Sequence, residues 1–192
     1  MRWIDANLLY NSKNLTKIQQ EIRSAAVNNL EAFIKLVAPY QLMAHCHIEM
    51  CRWAQEYQND NRLLLWPRDH GKSRHAAFYA AWEIVRDPST TIIYASATAE
   101  KADHPYRKTE GVVDSTLMTC GLEKTITGKH CKRLILDDIV VPENNTETGR
   151  RDVNSWAAQA SSIMSADSSM LVVGTRYHPK DAYQIMMDMA YD

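Results

Sequence analysis

A chain of 192 residues, 45% of them hydrophobic, is long enough for one globular domain that buries roughly 70% of the surface its unfolded form exposes. Its 22 Lys and Arg against 23 Asp and Glu leave a net charge of −1, which excludes the global positive field of a nucleic-acid-coating protein; any such contact is local or shared with partner subunits. No apolar run approaches the ~18 residues of a membrane span, and the irregularly spaced Cys46, Cys51, Cys120 and Cys131, with no secretory apolar core at the N-terminus, predict a soluble protein of a reducing cytoplasm.

In chain order, Ile18, Ile22, Ala25, Ala26, Leu30, Phe33 and Leu36 recur at three- and four-residue steps and predict one helix from Leu15 to Val37. Pro39 breaks it, a second helix is expected from Tyr40 to about Tyr57, and Asn59-Asp60-Asn61 reads as a turn. Arg62–Trp66 is a short apolar run of the kind buried on both faces of a parallel sheet, and Thr91–Ala95, Arg133–Leu136 and Met170–Val173 are three more. Helical patterns lie between several of them, at Lys72–Val85 and Thr148–Ile163. This alternation predicts an α/β fold with a mainly parallel sheet. Within the polar stretch Asp103–Lys132 only Val112–Thr119 reads as a β-like run. The expected organisation is a single domain over 1–192, with a mostly helical part at 1–60 and a nucleotide-binding core at 61–192.

The run Leu63–Ser73 has the order a phosphate loop requires: a strand, a tight turn, then a helix. Pro67, Arg68, Asp69, His70, Gly71, Lys72 and Ser73 are therefore the candidate ATP-binding residues. Gly71 permits close backbone approach, Lys72 carries charge to the β- and γ-phosphates, Ser73 presents a hydroxyl to Mg²⁺, and the following helix points its positive end at the phosphates. Trp66 occupies the place of the usual first glycine. A second motif, Arg133–Asp138, is an apolar strand ending in two acids; Asp137 is the candidate metal ligand and Asp138 the candidate for orienting or deprotonating the attacking water. Glu143 is the next acid in line. A third strand ends in Gly174-Thr175-Arg176-Tyr177-His178-Pro179, and ligands of open α/β sheets bind at strand carboxyl ends. The plain alternative there is a strand-to-helix turn with Pro179 starting the helix.

Together these motifs resemble the ATPase half of a tailed-phage terminase large subunit, most like the short-tailed phage branch. The residues that carry the resemblance are Pro67–Ser73, Ala95-Ser96-Ala97-Thr98, Thr127-Gly128-Lys129-His130 ahead of Leu136-Asp137-Asp138, and Gly174–Pro179. The resemblance implies a P-loop NTPase of the ASCE type, ATP and Mg²⁺ as ligands, and hydrolysis that powers packaging of double-stranded DNA into a procapsid. It also implies assembly into a homo-oligomeric ring, with the viral portal and the small terminase subunit as partners, in the cytoplasm of the infected bacterial host. By the same resemblance Arg68 senses or stabilises the γ-phosphate, Gly174 and Thr175 form the coupling element, and Gln41, with His45, lies where adenine contacts fall. Two departures stand out. Relatives place a longer Glu where this chain has Asp138, and their stretch between the Ala-Ser-Ala-Thr strand and the acid pair is longer than that following Lys101-Ala102-Asp103. Relatives also continue into a ribonuclease-H-type nuclease domain, and nuclease activity is not expected from these 192 residues.

Two other readings remain open on the sequence: a helicase-like nucleic-acid translocase, and a nucleotide-binding module without turnover. His45-Cys46-His47 with Cys51 is not expected to hold zinc, because consecutive helical positions point about 100° apart. Cys120 and Cys131 read as small buried residues rather than a disulfide, and Met186-Met187-Asp188-Met189 as core packing.

Overall fold

The structure, a computed structural model, describes residues 16–41, 43–97, 116–123, 126 and 128–189. They fall in two compact units, one drawn from Met1–Gln58 and Ala77–Pro88, the other from Asn59–Ala76 and Ser89–Asp192.

The first unit is helical. Helix α1 (Lys17–Asn28) starts at Thr16, whose hydroxyl accepts from the Gln19 amide while the Gln19 side chain accepts from the Thr16 N–H, a reciprocal cap that satisfies two otherwise unpaired donors. The single helix expected from Leu15 to Val37 is two. Asn29 is extended, with φ −144° and ψ 118°, and its side chain caps α2 (Leu30–Val37) by accepting from Ala32 N–H. The Gln55 amide of α3 (His45–Glu56) completes the break: it donates to the Asn28 carbonyl and accepts from Leu30 N–H. The expected apolar face is correspondingly divided, with Ala26, Leu30 and Phe33 buried but Ile18 and Ile22 exposed. The helix expected from Tyr40 starts only at His45. In this unit the far part of α4 (Lys72–Arg86) buries Trp82, whose indole N–H donates to the Ala26 carbonyl at 3.0 Å and whose ring stacks under Arg86.

The second unit is built on five parallel strands, β1 (Arg62–Leu65), β2 (Ile92–Ser96), β3 (Leu117–Gly121), β4 (Cys131–Asp137) and β5 (Met164–Gly174), in the order β1-β5-β4-β2-β3. Strand β5 thus lies between the strand that leads into the phosphate-loop sequence and the strand that ends in the acid pair. Strand β1 is an edge of this sheet, which is why Leu63–Leu65 are half-buried rather than buried on both faces as expected. One sheet face carries Ile93, Ala95, Leu134, Leu136 and Val172, and packs in one cluster with Val153, Trp156 and Ala160 of α5 (Glu147–Ser162) and Ala182 and Tyr183 of α6 (Ala182–Met189). Met186 packs against this cluster, as the core reading of the methionine-rich tail expects. The third strand's expected start at Val112 lies partly outside the described residues, as do Thr98, Thr127 and the shortened stretch after Lys101.

Pro179 does not start α6. It lies in a turn, and the helix starts at Ala182, because the buried Asp181 carboxylate accepts from the Tyr177, His178 and Gln184 N–H groups and so caps it.

Candidate functional site

The phosphate-loop residues, the acid pair and the Gly174–Pro179 segment lie at the carboxyl ends of β1, β4 and β5, whereas Ala95-Ser96 closes β2 and Gly128-Lys129-His130 precedes β4. Between Arg68 and Lys72 the backbone alternates: Asp69 has φ 65° and Gly71 φ 72°, while Arg68, His70 and Lys72 are not in the positive region. Alternating hands of this kind turn successive N–H groups into one concavity, the backbone nest that binds anions. Gly71 takes this conformation without steric cost, and Asp69 is among the few side-chain-bearing residue types that tolerate it. The loop is held from both ends. The Trp66 N–H donates to the Gly174 carbonyl at 3.0 Å, and the Thr175 hydroxyl donates to the Trp66 carbonyl at 2.9 Å. From the helix side, His75 Nδ1 lies 2.9 Å from the Gly71 carbonyl, which also accepts the His75 N–H. The position without the usual first glycine is therefore pinned to the Gly174-Thr175 pair.

Lys72 begins α4 and is buried; its Nζ lies 3.3 Å from Asp138 Oδ2. Ser73 donates its hydroxyl to Asp137 Oδ1 at 2.8 Å, and the Tyr94 hydroxyl donates to Asp137 Oδ2, also at 2.8 Å. Both Asp137 oxygens are thus held. Burial raises the Asp137 pKa above the usual carboxylate value, the hydrogen bonds from Ser73 and Tyr94 oppose that rise, and Asp138 adds to it while Lys72 opposes it. Burial, then the Asp137 charge, push the Tyr94 phenol far up, so it remains a donor.

Asp138 follows the strand with φ 48°, its N–H donating to the Val173 carbonyl at 2.9 Å. Its Oδ1 is buried with no hydrogen-bond partner among the described residues. An unpaired buried carboxylate oxygen is costly and calls for a functional explanation. Glu143 lies exposed in the 3₁₀ turn Pro142–Asn144.

Arg68 is exposed, and its Nε donates to the Tyr177 hydroxyl, with the guanidinium 5.4 Å from the Tyr177 ring centre. Gly174 has a steric reason: a Cβ there would overlap the hydroxyl and ring of the fully buried Tyr183, which in turn accepts from Val140 N–H just after the acid pair. Gln41 belongs to the first unit and is half-buried there. The tyrosines 94, 177 and 183 all carry contacts within this constellation that the sequence reading did not assign. Among the described residues no cluster of three or more His, Cys, Asp or Glu could hold a metal by itself, and the four cysteines are free. No helix among them is long and apolar enough to cross a membrane.

The chain matches no protein-family model and no curated protein sequence. Among solved structures it is similar to the large terminase of bacteriophage HK97, with 14% identity and a TM-score of 0.59 over 86% of this chain, which spans 41% of the length of that protein. At this identity the likeness is one of fold: the chain shares an α/β fold with that large terminase, and among the described residues it has the parallel sheet and flanking helices expected.

Proposed function

We propose that this chain is an ATP-hydrolysing motor domain of a viral terminase large subunit, working on double-stranded DNA in the cytoplasm of an infected bacterium. One observation carries the reading: an alternating-φ loop, the buried Lys72, the Ser73–Asp137 pair and Asp138 meet at neighbouring strand ends on a terminase-like fold. The motif sequences favour the short-tailed branch, which rests on the sequence alone. Ring assembly, the portal and the small subunit as partners rest on the resemblance.

Ser73 Oγ and the Asp137 carboxylate are hard oxygen donors held together at 2.8 Å, a donor set that suits Mg²⁺. Ser73 and Asp137 would hold the ion, which would supply positive charge against the phosphates. Lys72 leaves Asp138 to hold the same phosphates, and the loop N–H groups cradle them. Asp138, whose buried Oδ1 has an unused acceptor, orients the attacking water and takes its proton. Arg68 exchanges the Tyr177 hydroxyl for γ-phosphate oxygens, which its planar guanidinium fits better. Thr175, tied to Trp66, transmits the change to the segment after β5.

Steady-state ATPase assays on this chain, with and without double-stranded DNA and portal, test the proposal. Magnesium-dependent hydrolysis stimulated by duplex and portal is expected. ATP binding without phosphate release favours a non-hydrolysing nucleotide-binding module, and strand separation favours a helicase-like translocase.

A further inference from the structure

We propose that Tyr94 is a positioning residue for the metal-binding carboxylate, fixing one oxygen of Asp137 so that the oxygen shared with Ser73 is left for a divalent cation. The inference rests on the reading of Ser73 and Asp137 as cation ligands and adds to it a residue from a neighbouring strand.

The register supplies the geometry. Tyr94 pairs with Ile135 across β2 and β4, and Ser96 pairs with Asp137. Side chains alternate along a strand, so Tyr94 and Asp137 project from the same sheet face, two residues apart in register. A tyrosine is long enough to cover that diagonal, and its hydroxyl meets Asp137 Oδ2 at 2.8 Å. The Ser73 carbonyl is farther, at 3.4 Å. One phenol carries one proton, and the shorter, charge-assisted bond to the carboxylate takes it.

An aspartate has a short side chain whose terminal torsion is broad. Without a second tether, the Asp137 carboxylate can rotate about the Ser73 bond and present either oxygen, or both, to a cation. With Tyr94 on Oδ2 and Ser73 on Oδ1, the plane of the carboxylate is set before any cation arrives. Mg²⁺ tolerates little deviation from octahedral geometry, so a pre-set ligand matters more for it than for larger, more permissive ions. Tyr94 is half-buried and its hydroxyl already donates to Asp137 Oδ2, so it acts on the carboxylate as a hydrogen-bond donor.

The test is Tyr94→Phe in the full chain, read by binding of a fluorescent ATP analogue at graded magnesium, by binding without magnesium, and by melting temperature. The magnesium half-saturation is expected to rise about tenfold, the scale of one charge-assisted hydrogen bond. Magnesium-free nucleotide binding should be unchanged, and manganese should narrow the gap between variant and wild type. Wild-type magnesium response in Tyr94→Phe overturns the inference while leaving the cation site intact. A wild-type chain whose nucleotide binding ignores magnesium overturns the underlying site reading as well. Should Tyr94→Phe fail to fold, Tyr94→para-aminophenylalanine restores a donor at the same ring position. It is expected to bring the half-saturation to within about threefold of wild type, since an aniline N–H is a weaker donor to a carboxylate than a phenol O–H, and a larger shift in that folded protein overturns the inference.

Discussion

At the scale of single residues, the Lys72–Asp138 contact gives opposed expectations for its two partners. Lys72→Ala removes the charge needed on the phosphates and leaves the half-buried Asp138 carboxylate without its cation; nucleotide binding should weaken and hydrolysis should vanish, as read by equilibrium binding and phosphate release. Asp138→Asn keeps size but drops charge. Lys72 is then freed from its ion pair, so ATP should bind at least as tightly as in wild type while the chemical step slows by a factor of about 10²–10⁴, the usual range for a lost general base. Single-turnover hydrolysis beside equilibrium binding separates the two, and a normal single-turnover rate removes Asp138 from the site. Gly174 belongs to the same scale for a packing reason. Gly174→Ala drives a methyl group into Tyr183, and overpacking of this kind costs about 1–3 kcal/mol. A melting temperature unchanged from wild type would contradict that packing.

At the scale of elements, the break between α1 and α2 depends on side chains that cap it. Asn29→Ala removes the acceptor for Ala32 N–H and should cost about 1 kcal/mol by chemical denaturation, whereas Asn29→Asp should cost little. The thiols report on the same elements. Cys46 is exposed, whereas Cys51, Cys120 and Cys131 are buried; burial, then Glu31, push the Cys51 thiol up to about 12, and burial raises Cys131 to about 11. Alkylation of native protein near pH 8, followed by mass spectrometry, should therefore label Cys46 quickly and the other three only on unfolding. Rapid loss of all four thiols would contradict the packing of α3, β3 and β4. These elements also mark how far the sequence could be read. Apolar runs bounded by polar groups gave the positions of β1, β2, β4 and the carboxyl-terminal part of β5, whose polar start at Met164–Ser169 was missed, and the residues just beyond them gave the candidates Lys72, Ser73, Asp137 and Asp138, because both signals are local in sequence. The break at Asn29 was hidden because it depends on Gln55, which comes from another helix. Tyr94 was hidden because a tyrosine inside an apolar strand reads as core, and its contact with Asp137 exists only through the β2–β4 register. Tyr183 escaped for the same reason, since the space it takes beside Gly174 is set by tertiary packing.

At the scale of the whole molecule, charge decides what the chain can do with DNA unaided. Each phosphate contact releases counterions and adds about −0.9 to the slope of log affinity against log salt. A net charge of −1 gives no overall attraction to draw on, so under the proposed function a duplex would be held by a local set of basic groups or by several subunits together. For one chain with about 2–4 phosphate contacts, the slope should lie near −2 to −4, and affinity should fall by about tenfold to two-hundredfold between 50 mM and 200 mM salt. A nucleic-acid-coating protein with about 6–10 contacts would lose about 10³–10⁵ over the same interval. Fluorescence anisotropy of a short labelled duplex, titrated with this chain at several salt concentrations, measures the slope directly. In a ring the contacts of neighbouring subunits add, so the slope should steepen when portal or a crosslinked oligomer is supplied, with ATP hydrolysis rising in parallel. A slope already steeper than about −6 for the isolated chain would show that it grips DNA by itself and would move the preferred reading from a packaging ring to a translocase that works alone.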